Sequence, residues 1–369
     1  MNYSFLKMNN SKKPNLTEQI DVIEDDLLEV YGEDVFNTLL KDHTTGQNIF
    51  WATNDYESLG DAYAYDKPIL PELITGENNH IIMPRVKKEK ALQTARAKDK
   101  AEVFTPSWVC NAQNNLIDEA WFGRKNVFNE EIITPQGEHF WIPKEGKIEF
   151  PEGDKQKTWK KYVRDTRLEI TCGEAPYLVS RYDTTTGEPI PIKYRIGLLD
   201  RKLRVISENV DESSEWLEMA QEAYKNTYGF EWQGDNLLLA REALLLTFVD
   251  YYEAKFGKYP LKSSVKYMSY IISWNTWQMD GLKMVIPNSC DNVYEQGLFE
   301  TVKVDCPACK SGATHGHIGK RCLIRDWRKK RPKNWTPKPG EDPKSSPWQK
   351  IEFQSLLLKY QREESEDEE

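Results

Sequence analysis

The feature that most constrains the fold of this 369-residue chain is a long apolar run in its second half. Residues 237–256 read LLLAREALLLTFVDYYEAKF and predict a helix that is apolar on most of its surface. Such a helix normally packs against a sheet, because contact along a single narrow face would leave many of its apolar side chains in water. A strand pattern, YGFEW, covers residues 228–232, and a charged amphipathic helix pattern begins at Gln221. Residues 221–256 are therefore predicted to form a helix, a strand and a long buried helix.

Strand and helix patterns alternate elsewhere in the chain. Residues 103–121 follow the order of a short strand, a Thr-Pro turn and a helix, and residues 167–182 combine a strand with a turn. A further helix pattern in residues 265–287 runs into the string WNTWQMDGL. The alternation predicts an α/β fold with an open, mostly parallel, Rossmann-like sheet, helices on both faces, and a ligand at the carboxyl ends of the strands.

The sequence also predicts how the chain is divided. A polar N-terminal accessory region, with one helix pattern over residues 16–40, precedes the main domain. A segment rich in Gly, Pro and charge at about residues 122–160 is predicted to be a surface insertion in that domain. The predicted units are the accessory region (1–95), the main domain (96–300), a cysteine-rich basic module (301–335), and a linker with a short helix and a disordered acidic tail (336–369).

Composition excludes several classes of protein. No stretch approaches the roughly 18 consecutive apolar residues of a membrane span, and residues 1–13 lack the apolar block of a signal peptide. The six cysteines are spread thinly, which fits reduced thiols better than a disulfide framework. We therefore expect a cytoplasmic protein with no membrane partner.

A dense basic run, KRCLIRDWRKKRPK, covers residues 320–333 and includes Trp327. The formal net charge is -9, but six of the seven residues at 363–369 are acidic and account for most of it. A second basic stretch covers residues 85–100, and either stretch also fits a solvated protein face. We expect the first stretch to contact phosphates of DNA. The predicted contacts are Lys320, Arg321, Arg325, Arg328, Lys329, Lys330 and Arg331.

A cysteine and histidine cluster has the spacing of a small zinc knuckle or ribbon. It combines Cys306-x2-Cys309 with two histidines and a third cysteine within residues 306–322. Three thiolates and one imidazole close a tetrahedral site, which stabilises a segment too short for its own core. The predicted ligands of a structural Zn²⁺ are Cys306, Cys309, His317 and Cys322, with His315 as the alternative histidine.

Residues 169–177, EITCGEAPY, have the pattern of a nucleoside-binding turn. An acid ends the preceding strand pattern, and a turn that contains Gly173 follows. Gly lets the backbone approach a ligand closely, and a carboxylate organises the polar groups of that ligand. The pattern alone also fits an ordinary turn, so its significance depends on the motifs around it.

Four strings in the order FTP, LEITCGEAPYL, YGFEW and QMDGL resemble the motifs of adenine-N6 DNA methyltransferases, including the modification subunits of restriction systems. The resemblance covers about residues 95–290. It implies S-adenosylmethionine as cofactor, DNA as substrate, and a restriction or specificity subunit as a further partner. The implied cofactor contacts are Phe104, Thr105 and Pro106 on the methionine side, Glu169, Gly173 and Tyr177 in the loop, Glu231 at the ribose hydroxyls, and Asp280 at the adenine amino group.

The chain departs from the family's pattern at several points. Ala175 stands where the family commonly has a second Gly, and Asp200 is an alternative to Glu231 as the ribose acid. The family's catalytic string, an Asp, Asn or Ser followed by Pro-Pro and an aromatic residue, does not occur after Asp280. The nearest strings are DCPA at residues 305–308 and SSPW at residues 345–348, so no catalytic residue is assigned.

Two functions follow as alternatives. The first is a DNA adenine-N6 methyltransferase, or the modification subunit of a restriction or phage-defence system. The second is a DNA-binding subunit that keeps the methyltransferase fold, has lost the catalytic string and acts with a partner. Methylation of RNA or protein by the same fold is a third alternative.

Overall fold

The computed structural model describes residue 20 and residues 23–100, 105–296, 300–314, 316–336 and 346–356. The described chain is a mixed α/β structure with small sheets. Among the described helices, none combines the length and the apolar composition that a bilayer crossing requires. The α-helices are α1 (Glu24–Tyr31), α2 (Glu33–Leu40), α3 (Lys90–Lys100), α4 (Ser107–Phe122), α5 (Trp159–Val163), α6 (Leu198–Asn209), α7 (Ser213–Lys225), α8 (Gly234–Phe256), α9 (Lys262–Asn275) and α10 (Pro307–Ser311). The strands are β1 (Asn129–Ile133), β2 (His139–Pro143), β3 (Arg167–Glu169), β4 (Thr227–Glu231), β5 (Thr276–Gln278), β6 (Tyr294–Gln296), β7 (Thr301–Lys303), β8 (Leu323–Arg325) and β9 (Lys350–Glu352).

Helix α8 contains the apolar run and is buried along most of its length. Every residue from Gly234 to Tyr252 is buried. The buried Arg241 of this helix donates hydrogen bonds to main-chain carbonyls at the ends of α2 and α9 and at Thr276 in β5. A buried guanidinium needs such acceptors, and here they join three elements to the central helix.

Strands β3, β4 and β5 form a three-stranded parallel sheet in that order. Helices α6 and α7 connect β3 to β4, and α8 and α9 connect β4 to β5. Glu169 is the last residue of β3, Glu231 is the last residue of β4, and Asp280 follows β5 by two residues. Because parallel strands end at the same edge of a sheet, the three acids lie at one edge.

The two faces of this sheet are covered differently. Gly229 of β4 faces Cys172 and Leu178, which belong to the main hydrophobic core with helices α6 to α9. The neighbouring Phe230 points to the other face and packs with Trp277 in a second cluster, which includes residues of the antiparallel β8–β9 strand pair. Among the described residues, loops and the β8–β9 strand pair contribute most of this second cluster, and a short helical stretch begins at its member Phe353. The structure therefore does not show the predicted layer of helices on both faces.

The N-terminal region belongs to the main core. Leu39, Trp51 and Ile69 are fully buried in the same cluster as the side chains of α8. The single helix predicted over residues 16–40 is two helices in its described part, because Gly32 adopts a φ of +86° between α1 and α2. The predicted boundary near residue 95 therefore does not divide the hydrophobic core.

Candidate functional site

A cavity of about 880 Å³ opens at the carboxyl ends of β3, β4 and β5. Pro106 is not among its lining residues and immediately precedes α4. Phe104 lies outside the described residues. The other six predicted cofactor contacts all line this cavity, namely Thr105, Glu169, Gly173, Tyr177, Glu231 and Asp280. Residues from four separate parts of the sequence thus meet in one place.

The turn after β3 has an unusual backbone. Thr171, Gly173 and Ala175 have φ angles of +48°, +53° and +61°. Gly adopts this left-handed region at little cost, whereas a β-branched residue such as Thr171 is strained there. Ala175 stands where the resembled family commonly has Gly, and its backbone keeps the conformation that Gly favours. Strain of this kind is characteristic of ligand-binding turns.

Two buried glutamates hold the turn in place. The carboxylate of Glu231 accepts hydrogen bonds from the amides of Gly173 at 2.9 Å and Gln233 at 3.3 Å. The carboxylate of Glu169 accepts from the amides of Tyr177 at 3.4 Å and Leu178 at 3.2 Å. One strand-end acid therefore fixes the turn at its glycine, and the other fixes it where the turn ends.

Burial also controls the protonation of these two acids. Burial raises the pKa of Glu169 well above its usual value, and the nearby Glu231 adds to the increase, although two backbone amides oppose it. Burial is likewise the main reason that the pKa of Glu231 is raised. A positively charged ligand in this cavity would favour the ionised form of both carboxyl groups, because an opposite charge nearby offsets the loss of water.

Asp280 organises the turn after β5. Its Oδ1 accepts hydrogen bonds from the amides of Leu282 at 3.0 Å and Lys283 at 3.1 Å. Its Oδ2 lies 3.7 Å from the Nζ of Lys283. The side chain is only 4% exposed, so a ligand would reach it from within the cavity rather than from the protein surface.

The alternative ribose acid, Asp200, lies away from this cavity. It belongs to α6, is fully buried, and its Oδ2 accepts hydrogen bonds from the amides of Ser180 at 2.8 Å and Gly197 at 3.2 Å. Burial raises the pKa of Asp200 to about 6, against the attraction of Arg195. Of these two acids, Glu231 lines the cavity and Asp200 does not.

The N-terminal region contributes residues that the sequence did not indicate. Tyr65 lines the cavity together with Trp232 and Asn288. The Nε1 of Trp232 donates to the Tyr65 hydroxyl at 3.0 Å, and the Asn288 side chain lies close to this hydroxyl. No motif singles out Tyr65, because it lies in a turn-rich stretch and reaches the cavity only through tertiary packing.

A buried ion-pair network attaches the N-terminal region beside the cavity. Asp235, in the first turn of α8, accepts a hydrogen bond from the Tyr56 hydroxyl at 2.8 Å. The same carboxylate pairs with Lys88 at 3.2 Å and with Arg96 at 3.0 Å. Burial alone would raise the pKa of Asp235, but Arg96 and Lys88 lower it well below its usual range. The network joins residues 55–96 to α8, and loss of one partner would leave a buried charge unpaired.

Three cysteines and one histidine form a cluster that can hold a metal ion such as Zn²⁺. Cys290, Cys306, Cys309 and His317 place one ligand atom each within 4.8 Å of one another. Cys290 takes the position that the sequence assigned to Cys322, and this prediction is corrected. The Cys322 sulfur instead faces the Gln278 carbonyl at 3.4 Å, in the apolar cluster beside β5. His315 lies outside the described residues.

The geometry of the cluster fits a tetrahedral site. The sulfurs of Cys290, Cys306 and Cys309 lie 3.8, 3.6 and 3.4 Å from the Nδ1 of His317. Ligand separations of this size fit bonds of about 2.3 Å from Zn²⁺ to sulfur and 2.0–2.1 Å to nitrogen. The Nε2 of His317 lies 3.0 Å from the Ala313 carbonyl, which leaves Nδ1 free to bind a metal. Burial opposes ionisation of Cys306, but backbone amides of Ile318 and Cys309 and the His317 ring lower the pKa of its thiol to about 6.

The predicted DNA contacts fall into two groups. Arg325 is half-buried, donates to the Gln349 side chain, and lies 4.5 Å from the ring centre of Trp327. Arg321 pairs with Glu352, and Arg328 donates to Asn226 at 2.7 Å. These three arginines make contacts within the protein that support the β8–β9 strand pair and its neighbours. Arg331 is exposed, and its guanidinium lies 4.7 Å from the ring centre of Trp335. The exposed side chains with the fewest contacts among the described residues of the run are Lys320, Lys329 and Lys330.

The chain was compared with protein families, curated proteins and solved structures. No protein-family model, curated protein or solved structure matches the chain significantly.

Proposed function

We propose that this chain binds S-adenosylmethionine and serves DNA adenine-N6 methylation, as a methyltransferase or as the modification subunit of a restriction or phage-defence system. The observation that carries the proposal is the cavity at the carboxyl ends of β3, β4 and β5, which contains six of the eight residues implied by the motif order. In open α/β sheets, ligands bind in the crevice at this end of the strands. A Rossmann-like methyltransferase sheet is part of the proposal.

The chemistry of the cavity suits this cofactor. Glu231 is the acid for the ribose hydroxyls, and Asp280 is the acceptor for the adenine amino group. The sulfonium and ammonium groups of S-adenosylmethionine carry positive charge, which a cavity lined by Glu169, Glu231 and Asp280 favours. The strained turn at Thr171 supports the same role, because a turn held by two buried carboxylates is preformed for a ligand.

Methyl transfer would move the methyl group from the sulfonium sulfur to the N6 nitrogen of adenine. S-adenosylhomocysteine is the other product, and the nitrogen loses a proton. The protein must hold the amine and the methyl group in line, and the resembled family uses its Pro-Pro string for that purpose.

The second candidate is a DNA-binding subunit that holds the cofactor and acts with a catalytic partner. A specific observation favours it, because the sequence contains no Pro-Pro dipeptide. In this case the partner provides the residues that position the target adenine, and this chain provides the cofactor cavity and the basic run.

We also propose Zn²⁺ as the structural ion of the Cys₃His cluster and the cytoplasm as the location. Cys290, Cys306 and Cys309 must be ionised thiolates to bind the metal, and a reducing compartment keeps them from forming disulfides. DNA and a restriction or specificity subunit are the proposed partners.

Calorimetric titration with S-adenosylmethionine tests the cofactor site. Glu231→Gln and Asp280→Asn keep the size of each side chain but remove its charge, and each is expected to weaken binding by about tenfold or more, the loss of a charge-assisted hydrogen bond. The matched control is Glu222→Gln. Glu222 lies in α7 and does not line this cavity, so this substitution should leave the affinity unchanged. Absence of binding by the wild-type protein would refute the proposal. Labelled methyl transfer to DNA then separates the enzyme from the DNA-binding subunit.

A further inference from the structure

The metal cluster and the cavity share one segment of chain, residues 280–290, which we call the shared loop. Asp280, Leu282 and Asn288 of this loop line the cavity. Cys290, at the end of the loop, belongs to the metal cluster. A residue of the cavity wall and a metal ligand are therefore only two positions apart in the sequence.

The chain that follows His317 supports the shared loop from the metal side. The Ile286 amide donates to the Lys320 carbonyl at 2.8 Å, and the Lys320 amide donates to the Ser289 hydroxyl at 2.9 Å. Gly319 packs so closely that an added Cβ would lie 2.5 Å from the Ser289 Oγ and 2.9 Å from the Cys290 Sγ. Gly319 and Lys320, which follow the ligand His317, thus contact the segment that carries the ligand Cys290.

The shared loop also contains backbone strain. Met284 and Asn288 have φ angles of +58° and +56°. Asparagine adopts this region more readily than most residues, but a residue such as Met284 remains there only where its surroundings enforce it. The metal cluster is one such constraint, because three thiolates without a cation repel one another and require the ion to stay together. On the cavity side, the contact of Asn288 with Tyr65 is another.

We propose that a metal ion bound by Cys290, Cys306, Cys309 and His317 fixes the shared loop as a wall of the cavity, so that metal binding strengthens binding of an adenosyl ligand. The statement about the ligand rests on the proposed function, whereas the statement about the loop does not. Coupling is reciprocal, so the ligand strengthens metal binding by the same factor. We expect a factor of about ten, within the usual range for coupled sites.

Hydrogen exchange of the full chain tests the effect on the loop without any ligand. The protein is measured loaded with Zn²⁺ and again after chelation, with Co²⁺ absorption to verify that a thiolate-rich tetrahedral site is occupied. We expect amides in residues 280–290 to exchange at least about tenfold faster in the metal-free form, while amides of α8 remain protected. Calorimetry with S-adenosylhomocysteine on both forms then measures the coupling.

Two cysteine variants provide a matched pair. Cys290→Ala removes a metal ligand and is expected to reproduce the metal-free behaviour. Cys322→Ala removes an equally buried sulfur that lies outside the cluster, and it should keep both the Co²⁺ absorption and the ligand affinity. Equal exchange of the loop in metal-loaded and metal-free protein overturns the inference.

The remaining outcomes separate the inference from the proposed function. Faster exchange of the loop with equal S-adenosylhomocysteine affinity in the two forms overturns the coupling. Faster exchange with no ligand binding by the metal-loaded protein overturns the proposed function, and it supports the effect of the metal on the loop. Faster exchange with about tenfold weaker binding in the metal-free form supports both.

Discussion

The carboxylate of Glu231 accepts a hydrogen bond from the Gly173 amide at 2.9 Å, although the two residues are 58 positions apart in the sequence. The contact joins the end of β4 to the turn after β3. The acid that we propose for the ribose therefore also supports the turn that lines the proposed cofactor cavity. Any substitution of Glu231 affects stability as well as binding, and the two effects must be measured separately.

Glu231→Ala is expected to destabilise the protein by about 1–3 kcal/mol, because the Gly173 and Gln233 amides lose their acceptor in a buried place. Glu231→Gln keeps an acceptor oxygen and should cost less. Urea unfolding of the three proteins measures the difference. Equal stability of the alanine variant and the wild type would contradict a supporting role for this contact.

The strain at Thr171 predicts an unusual order of stability. At an ordinary loop position, Gly is less favourable than Ala by roughly 0.5–1 kcal/mol, because it loses more backbone freedom on folding. At residue 171, with a φ of +48° and an exposed side chain, we expect Thr171→Gly to be more stable than Thr171→Ala by about 1 kcal/mol. Both variants remove the hydroxyl, so their difference isolates the Cβ. If Thr171→Ala were instead more stable than Thr171→Gly, the result would argue against a left-handed backbone at this residue.

Much of the candidate site was accessible from the sequence, because its key residues end strands. Glu169 and Glu231 each close a short strand pattern, and strand ends of a parallel sheet converge whatever the length of the chain between them. The buried helix α8 could also be predicted, because its long apolar run indicates burial. In the structure, 19 residues in succession, Gly234 to Tyr252, are buried. Local patterns were sufficient for these features.

Other features depended on tertiary packing that has no local pattern. The fourth metal ligand was assigned to Cys322 by its proximity in sequence to His317, but the chain brings Cys290 to the cluster from 27 positions away. Tyr65 reaches the cavity from the N-terminal region for a similar reason. The second face of the sheet is covered in part by the β8–β9 strand pair, whose strands were too short to predict.

The Asp235 network predicts a large loss of stability when one partner is removed. Asp235→Ala leaves the charges of Lys88 and Arg96 buried with a weaker set of partners, and we expect a cost of about 3–5 kcal/mol. Replacing all three residues by apolar side chains of similar size should recover much of this cost. Urea unfolding and limited proteolysis of residues 55–96 provide the measurements. A triple variant no more stable than Asp235→Ala would contradict this account.

Asp200 predicts a fall in stability between about pH 4 and pH 7. Its pKa is about 6 in the folded protein, above the usual 3.8, because the carboxyl group is buried. As the pH rises, the unfolded chain releases this proton first, so the folded state loses stability until the pH passes about 6. The difference between the two pKa values corresponds to about 3 kcal/mol.

Asp200→Asn tests this pH dependence. An amide retains the oxygen that accepts from Ser180 and Gly197, and it resembles the neutral carboxyl group in shape. We expect the variant to match the wild type near pH 4 and to be more stable by up to about 3 kcal/mol at pH 8. Parallel unfolding curves for the two proteins across this range would contradict the prediction.

The exposed part of the basic run predicts how the proposed binding to DNA depends on salt concentration. Each phosphate contact contributes about 0.9 to the slope of log affinity against log salt concentration. The double variant Lys329→Ala, Lys330→Ala should therefore reduce the slope by about 2 and weaken binding equally for all DNA sequences, as measured by fluorescence anisotropy of a labelled duplex. Arg321→Ala is the control, since this arginine pairs with Glu352 within the protein, and its loss should leave the slope nearly unchanged. An unchanged slope in the lysine variant would mean that these residues form only a solvated face.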